Sequence, residues 1–143
     1  LARRDLETAR AACAKFREIP VSVMNFVEGT RANAKKLAQS SYRHLLKPKS
    51  GGVAQVMNSM GELLDGIVDV TIVYPEGRPT MVDLLAGKIR EIRVDLRLRP
   101  VPAELVGGDY ENDRDYRVRF QQWLNGLWDE KDARFDALLA QPA

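Results

Sequence analysis

A single cysteine, Cys13, in 143 residues excludes an intrachain disulfide and a zinc cluster built on thiolates. With Ala12 and Phe16 beside it, Cys13 reads as a small core residue of a first helix. No apolar run approaches the roughly 18 residues that a membrane-spanning helix needs, so any such anchor is expected outside these residues. No signal-peptide pattern, internal repeat or low-complexity tract is visible. Acidic residues are missing from a long internal stretch: none lies between Glu28 and Glu62, where Arg31, Lys35, Lys36, Arg43, Lys47 and Lys49 all fall. The net charge of +2 hides this asymmetry. One basic block in a balanced chain points to a local anionic partner, with a merely solvated face as the alternative.

What remains is the composition of one globular domain, 45% apolar and 29% charged. The spacing predicts a helix over 5–17, capped by Asp5, with Leu6, Ala9, Cys13 and Phe16 on one face. Ile19-Pro20 ends it. Val21 to Val27 is a nearly continuous apolar run, the pattern of a strand buried on both faces of a parallel sheet. Residues 31–41 are basic and either helical or irregular. Lys47 to Gly52 is a turn-rich loop, followed by a helix from Val53 to Leu64 that Asp65-Gly66 breaks. Ile67 to Tyr74 reads as a second buried strand, and Thr80 to Ala86 as a short helix capped by Thr80. Ile92, Val94, Leu96 and Leu98 alternate with Arg93, Asp95, Arg97 and Arg99, which predicts a strand with its apolar face on a core and its charged face in water. After a loop over 101–108, Tyr116, Phe120, Trp123, Leu124, Leu127, Trp128, Phe135, Leu138 and Leu139 recur at helical spacing. The expected class is α/β: a partial sheet with flanking helices and a long C-terminal amphipathic helix. Residues 105–143 form a helical extension of the single domain 1–143. Three strands are few for a covered parallel sheet, and residue 1 is Leu rather than Met. Both point to a fragment of a longer chain, with a processed N-terminus as the alternative account of Leu1.

Asn25 to Arg31 carries the chemistry. A buried strand delivers at its carboxyl end a carboxylate (Glu28), a permissive glycine (Gly29), a hydroxyl (Thr30) and a guanidinium (Arg31), where open α/β sheets gather ligands. Gly29 allows a tight turn and close backbone approach. Arg31 offers a planar fork that matches phosphate. Residue types alone leave two readings open, an anion site and an ordinary strand–helix turn.

Phe26-Val27-Glu28-Gly29-Thr30-Arg31 resembles the F-P-E-G-T-R block of the 1-acyl-glycerol-3-phosphate acyltransferase family, with Val27 in place of the proline. Ser41 to Gly52, Asp69 to Pro75, Asp83-Leu84-Leu85 and the arginine-rich strand up to Pro100 are similar to a bacterial membrane-bound branch, in order, over roughly residues 5–105. The resemblance implies transfer of an acyl group from coenzyme A or acyl carrier protein to the hydroxyl of a lysophospholipid phosphate, by a histidine base in an H-x4-D motif, with no metal and no cofactor. It implies substrate-binding roles for Glu28, Gly29, Thr30 and Arg31, with Arg31 on the phosphate and Glu28 organising the loop, and weaker phosphate or coenzyme roles for Lys47 and Lys49. It also implies placement at the cytoplasmic face of the inner membrane through an N-terminal part, the segment here being soluble. His44 departs from the motif, because Lys49 stands where the aspartate belongs. His44 is therefore expected to pack or hydrogen-bond near the loop. No catalytic residue is assigned here, and the H-x4-D pair is expected upstream of residue 1. The alternatives are an inactive relative that binds lipid or acts as a scaffold, and a nucleic-acid module. Against the latter, Tyr42 is the only aromatic among the cations, and no nucleic acid partner is expected.

Overall fold

The computed structural model describes Pro20 and residues 22–142. The expected helix over 5–17, with Cys13, lies outside the described residues. Among these, the order is α1 (Ala34–Ala38), α2 (Ser50–Met60), β1 (Ile67–Val73), α3 (Met81–Leu85), β2 (Arg93–Arg99) and α4 (Arg114–Leu139), with single 3-10 turns at Gly61–Leu63 and Ala103–Leu105. The class is α/β, a small sheet with helices and a long C-terminal helix.

Local chemistry sets the helix ends. Asn33 accepts from the Lys36 amide at 2.9 Å and starts α1. Thr80 and Asp83 cap each other reciprocally at α3, so the predicted cap at Thr80 is borne out. Asp113 accepts from the Tyr116 amide at 2.9 Å and starts α4. Along α4, Tyr116, Phe120, Leu124 and Trp128 recur every four residues and are buried, as the amphipathic pattern requires. Phe120 packs with Ala54 and Met57 of α2 and with Leu105, while Leu124 and Trp128 pack with Leu45. Trp123 touches both clusters and is half-buried. The Tyr116 hydroxyl donates to the Leu105 carbonyl at 2.7 Å. Gly108 lies so close to the Tyr116 ring that a β-carbon there would sit 2.1 Å from Cε2, and only glycine fits.

The strands depart from expectation in three ways. First, Ser22 to Phe26 is in no strand, and Met24 and Phe26 are about four-fifths exposed. An extended run becomes a strand only when neighbours take its backbone hydrogen bonds, and the one strand pair among the described residues is β1 with β2. Second, β1 is not buried on both faces of a parallel sheet. It runs antiparallel to β2, with Ile67 opposite Arg99, Val70 opposite Leu96 and Val73 opposite Arg93. Third, the faces are inverted. Val68, Val70 and Ile72 of β1 and Val94, Leu96 and Leu98 of β2 are exposed, while the charged side of β2 is half-buried.

The inversion has an electrostatic cause. Arg99 bridges Asp69 at 3.3 Å and Glu130 at 2.7 Å, and Arg134 reaches Asp95 at 2.8 Å, with Arg97 on the same carboxylate at 3.0 Å. Lys131 pairs with Asp69 and also donates to Val70 O and Thr71 Oγ1. Arg93 donates to the Leu138 and Gln141 carbonyls at the end of α4, satisfying groups the helix itself leaves unpaired. Charges buried in this way persist only when paired. The acidic and basic residues of α4 supply the pairs and draw the arginine face of β2 onto the helix.

Candidate functional site

The Phe26–Gly29 turn closes through the Gly29 amide, which donates to the Phe26 carbonyl at 2.8 Å. Val27 lies within this turn and leaves it closed. Gly29 has φ 64°, the left-handed region that side chains avoid. A second reason for glycine is Lys49: a β-carbon on Gly29 would lie 3.1 Å from Lys49 Cδ and 3.3 Å from its Nζ. The ammonium of Lys49 thus rests against the backbone of the turn. The Lys49 amide donates to the Val27 carbonyl at 2.8 Å, which ties the segment entering α2 to the turn.

Glu28 points into this junction. Its Oε1 accepts from the Leu46 amide at 2.9 Å. Burial pushes the Glu28 carboxyl up from the usual range, and the Leu46 N–H opposes that shift. Its carboxylate is therefore engaged in holding two loops together. Replacing Glu28 with alanine orphans the Leu46 N–H and is expected to cost about 1–3 kcal/mol. Glu28→Gln keeps an acceptor oxygen and removes the charge. Because the folded carboxyl is raised above its unfolded value, the native state holds the proton more tightly, and wild-type stability falls as pH rises through the folded pKa. The stability advantage of Glu28→Gln over wild type should therefore grow from acid to neutral pH in urea titrations. A difference that shrinks over that range would contradict the desolvated carboxylate.

Thr30 and Arg31 stand on the exposed side of the turn. Thr30 Oγ1 accepts from Lys36 Nζ at 2.6 Å, and the Arg31 carbonyl accepts from the same ammonium at 3.3 Å. The structure thus brings Gly29, Thr30 and Lys49 together and adds Lys36, which residue types alone did not single out. The available signal was the Asn33 cap, whose single helical turn carries Lys36 back over Thr30. Lys47 is exposed and makes no hydrogen bond or ion pair among the described residues. None of the ion pairs among the described residues uses Arg31, Lys35, Lys36, Lys47 or Lys49, whereas the three arginines of β2, Arg93, Arg97 and Arg99, and the preceding Arg90 are all paired.

His44 packs and hydrogen-bonds near the loop, as expected. Its Nε2 pairs with Asp136 Oδ1 at 2.7 Å, its ring stacks on Phe135 with centroids 4.5 Å apart, and its amide donates to Asp132 at 2.9 Å. Arg43 shares the Asp136 carboxylate at 2.8 Å. His44 first and Arg43 second hold that carboxyl below the usual range. This cluster docks α4 on the loop. No group of His, Cys, Asp and Glu among the described residues is arranged to hold a metal ion. A depression of about 250 Å³ between Tyr74 and Glu91 lies apart in sequence from the Gly29 turn; of its charged lining residues, Glu76, Asp83, Lys88 and Glu91 are in ion pairs and Arg78 is in none among the described residues.

The comparisons with known proteins point to acyltransferases. Lysocardiolipin acyltransferase 1 of Danio rerio is 30% identical over 132 residues, 80% of this chain and 31% of that protein. 1-acyl-sn-glycerol-3-phosphate acyltransferase delta of Bos taurus is 27% identical over 143 residues, 91% of this chain and 35% of that protein. Lysocardiolipin acyltransferase 1 of Gallus gallus is 28% identical over 128 residues, 80% of this chain and 32% of that protein. The chain therefore spans about a third of the length of the curated relatives it matches. No family model matches it, and no solved structure matches it. Among the described residues, no helix is long and apolar enough to cross a membrane.

Proposed function

We propose that this chain is the acceptor-phosphate portion of a phospholipid-synthesising O-acyltransferase of the 1-acyl-glycerol-3-phosphate type, from a bacterial membrane-bound branch. The observation that carries the reading is the unpaired cationic turn. Gly29, Thr30 and Arg31 are bracketed by the ammonium groups of Lys36 and Lys49, with no carboxylate among the described residues neutralising them. A dianionic phosphate is the ligand such a turn suits. The similarity to acyltransferases then supplies the reaction: an acyl group leaves coenzyme A or acyl carrier protein for the free hydroxyl of a lysophosphatidate-like acceptor. The base is a histidine of an H-x4-D motif upstream, where the membrane contact also lies. His44 does not fit that base, because Lys49 stands where the motif's aspartate belongs and the aspartate it does meet, Asp136, lies on α4, where the pair docks the helix. Tyr42 packs against the Leu45, Leu124 and Trp128 cluster rather than standing free among the cations, which weighs against a nucleic-acid module.

Residues 1–143 alone are expected to release no thiol from acyl-coenzyme A above buffer in the presence of lysophosphatidate. Turnover well above buffer that is lost in His44→Ala would overturn both the division of labour and the structural role of His44.

A further inference from the structure

We propose that Lys36 is a specificity-determining residue that makes the Gly29–Arg31 turn select phosphate monoesters over phosphodiesters, an inference that rests on the acceptor-phosphate reading of that turn. Lys36 is placed by local chemistry. Asn33 caps α1 through the Lys36 amide, and the single turn of helix returns the side chain to Thr30 Oγ1 and the Arg31 carbonyl. An ammonium has three N–H donors. Two are directed at these acceptors, which leaves one for a ligand beside Arg31. Lys49 stands against Gly29. Three consecutive backbone positions thus carry three cations, of which Arg31 alone has the fork to grip two oxygens at once.

The charge of the ligand decides what the third cation adds. A phosphomonoester carries about −1.5 to −2 at neutral pH, with a second pKa near 6. A diester keeps a single negative charge, and a second ester oxygen replaces one terminal oxygen. The Arg31 fork suits either ester, since both offer two terminal oxygens. The additional ammonium gains most from the extra charge and the third terminal oxygen, which only the monoester has. A Lys36 that merely propped the turn would matter equally for both esters.

The test is titration of the 143-residue chain with sn-glycerol 3-phosphate and with sn-glycero-3-phosphoglycerol, at low salt and slightly alkaline pH, followed by amide NMR shifts at Gly29–Arg31. Wild type should prefer the monoester, and the preference should fade as pH falls through about 6. Lys36→Gln should weaken monoester binding on the order of tenfold, the effect of one charge-assisted hydrogen bond. It should leave diester binding within about twofold, and Lys36→Arg should restore the preference. Equal weakening of both esters in Lys36→Gln would make Lys36 a prop and overturn the proposal. So would a wild type without preference, while binding that is lost in Arg31→Ala would leave the acceptor-phosphate reading standing. A wild type that binds neither ester would overturn both.

Discussion

Under the proposed acceptor-phosphate role, Arg31→Ala in an enzyme that carries the proposed histidine base is expected to lower kcat/KM by roughly ten- to a hundredfold when the acceptor is varied. The figure follows from losing a hydrogen bond to a charged group, worth about 1.5–3 kcal/mol. The guanidinium leaves the Gly29 turn on its exposed side and pairs with no carboxylate among the described residues, so nothing in the fold itself holds it. Its removal should therefore leave the melting temperature unchanged. Arg31→Lys should restore part of the activity, since ammonium keeps the charge but not the fork. Kinetics with the donor varied at saturating acceptor should change little. A normal acceptor KM together with a normal kcat in folded Arg31→Ala enzyme would end the phosphate assignment. A loss of folded protein instead would show that the arginine supports the turn.

Phe120→Ala should destabilise the chain by about 3–5 kcal/mol, the cost of an emptied aromatic site in a packed core. Phe120 is fully buried where α4 crosses α2. Its ring meets Tyr110 and Trp123 edge-on at 5.7 and 5.3 Å and lies tilted 6.0 Å from Tyr116. Losing it removes the contact through which α4, α2 and the Leu105 turn share a core. Trp123→Ala should cost less than Phe120→Ala, because Trp123 is half-buried and its site can be partly refilled by water. Urea denaturation of the two variants orders them. Equal losses, or a larger one at Trp123, would place the centre of the core on the other face of α4.

The same helix explains why some of the fold was legible in the sequence and some was not. Interactions within a few residues read directly. The four-residue spacing from Tyr116 to Trp128 specified the buried stripe of α4, Thr80 and Asp83 specified the cap of α3, and Gly29 specified a turn with positive φ. These depend on backbone geometry that neighbours in the chain impose on one another. Within the candidate site, the turn and its hydroxyl and guanidinium were visible in this way.

What only the tertiary structure decided involves partners distant in the chain. The alternation from Ile92 to Arg99 established that β2 has two unlike faces, but not which one packs. That choice belongs to Glu130, Lys131 and Arg134, which pair with Asp69, Asp95 and Arg99 and turn the apolar side outward. Apolar content from Val21 to Val27 described a sequence fit for a sheet, but a strand exists only where another strand takes its hydrogen bonds. His44 was recognisable as a misfit to the catalytic motif. Its place on Phe135 and Asp136, more than ninety residues away, required the helix to be docked. Lys36 was one cation among six in an acid-free stretch, and the Asn33-capped turn of α1 that brings it to Thr30 singled it out. Periodicity and turn chemistry are properties of the chain taken locally, whereas the pairing of charges and the choice of a buried face are settled by whichever distant group arrives.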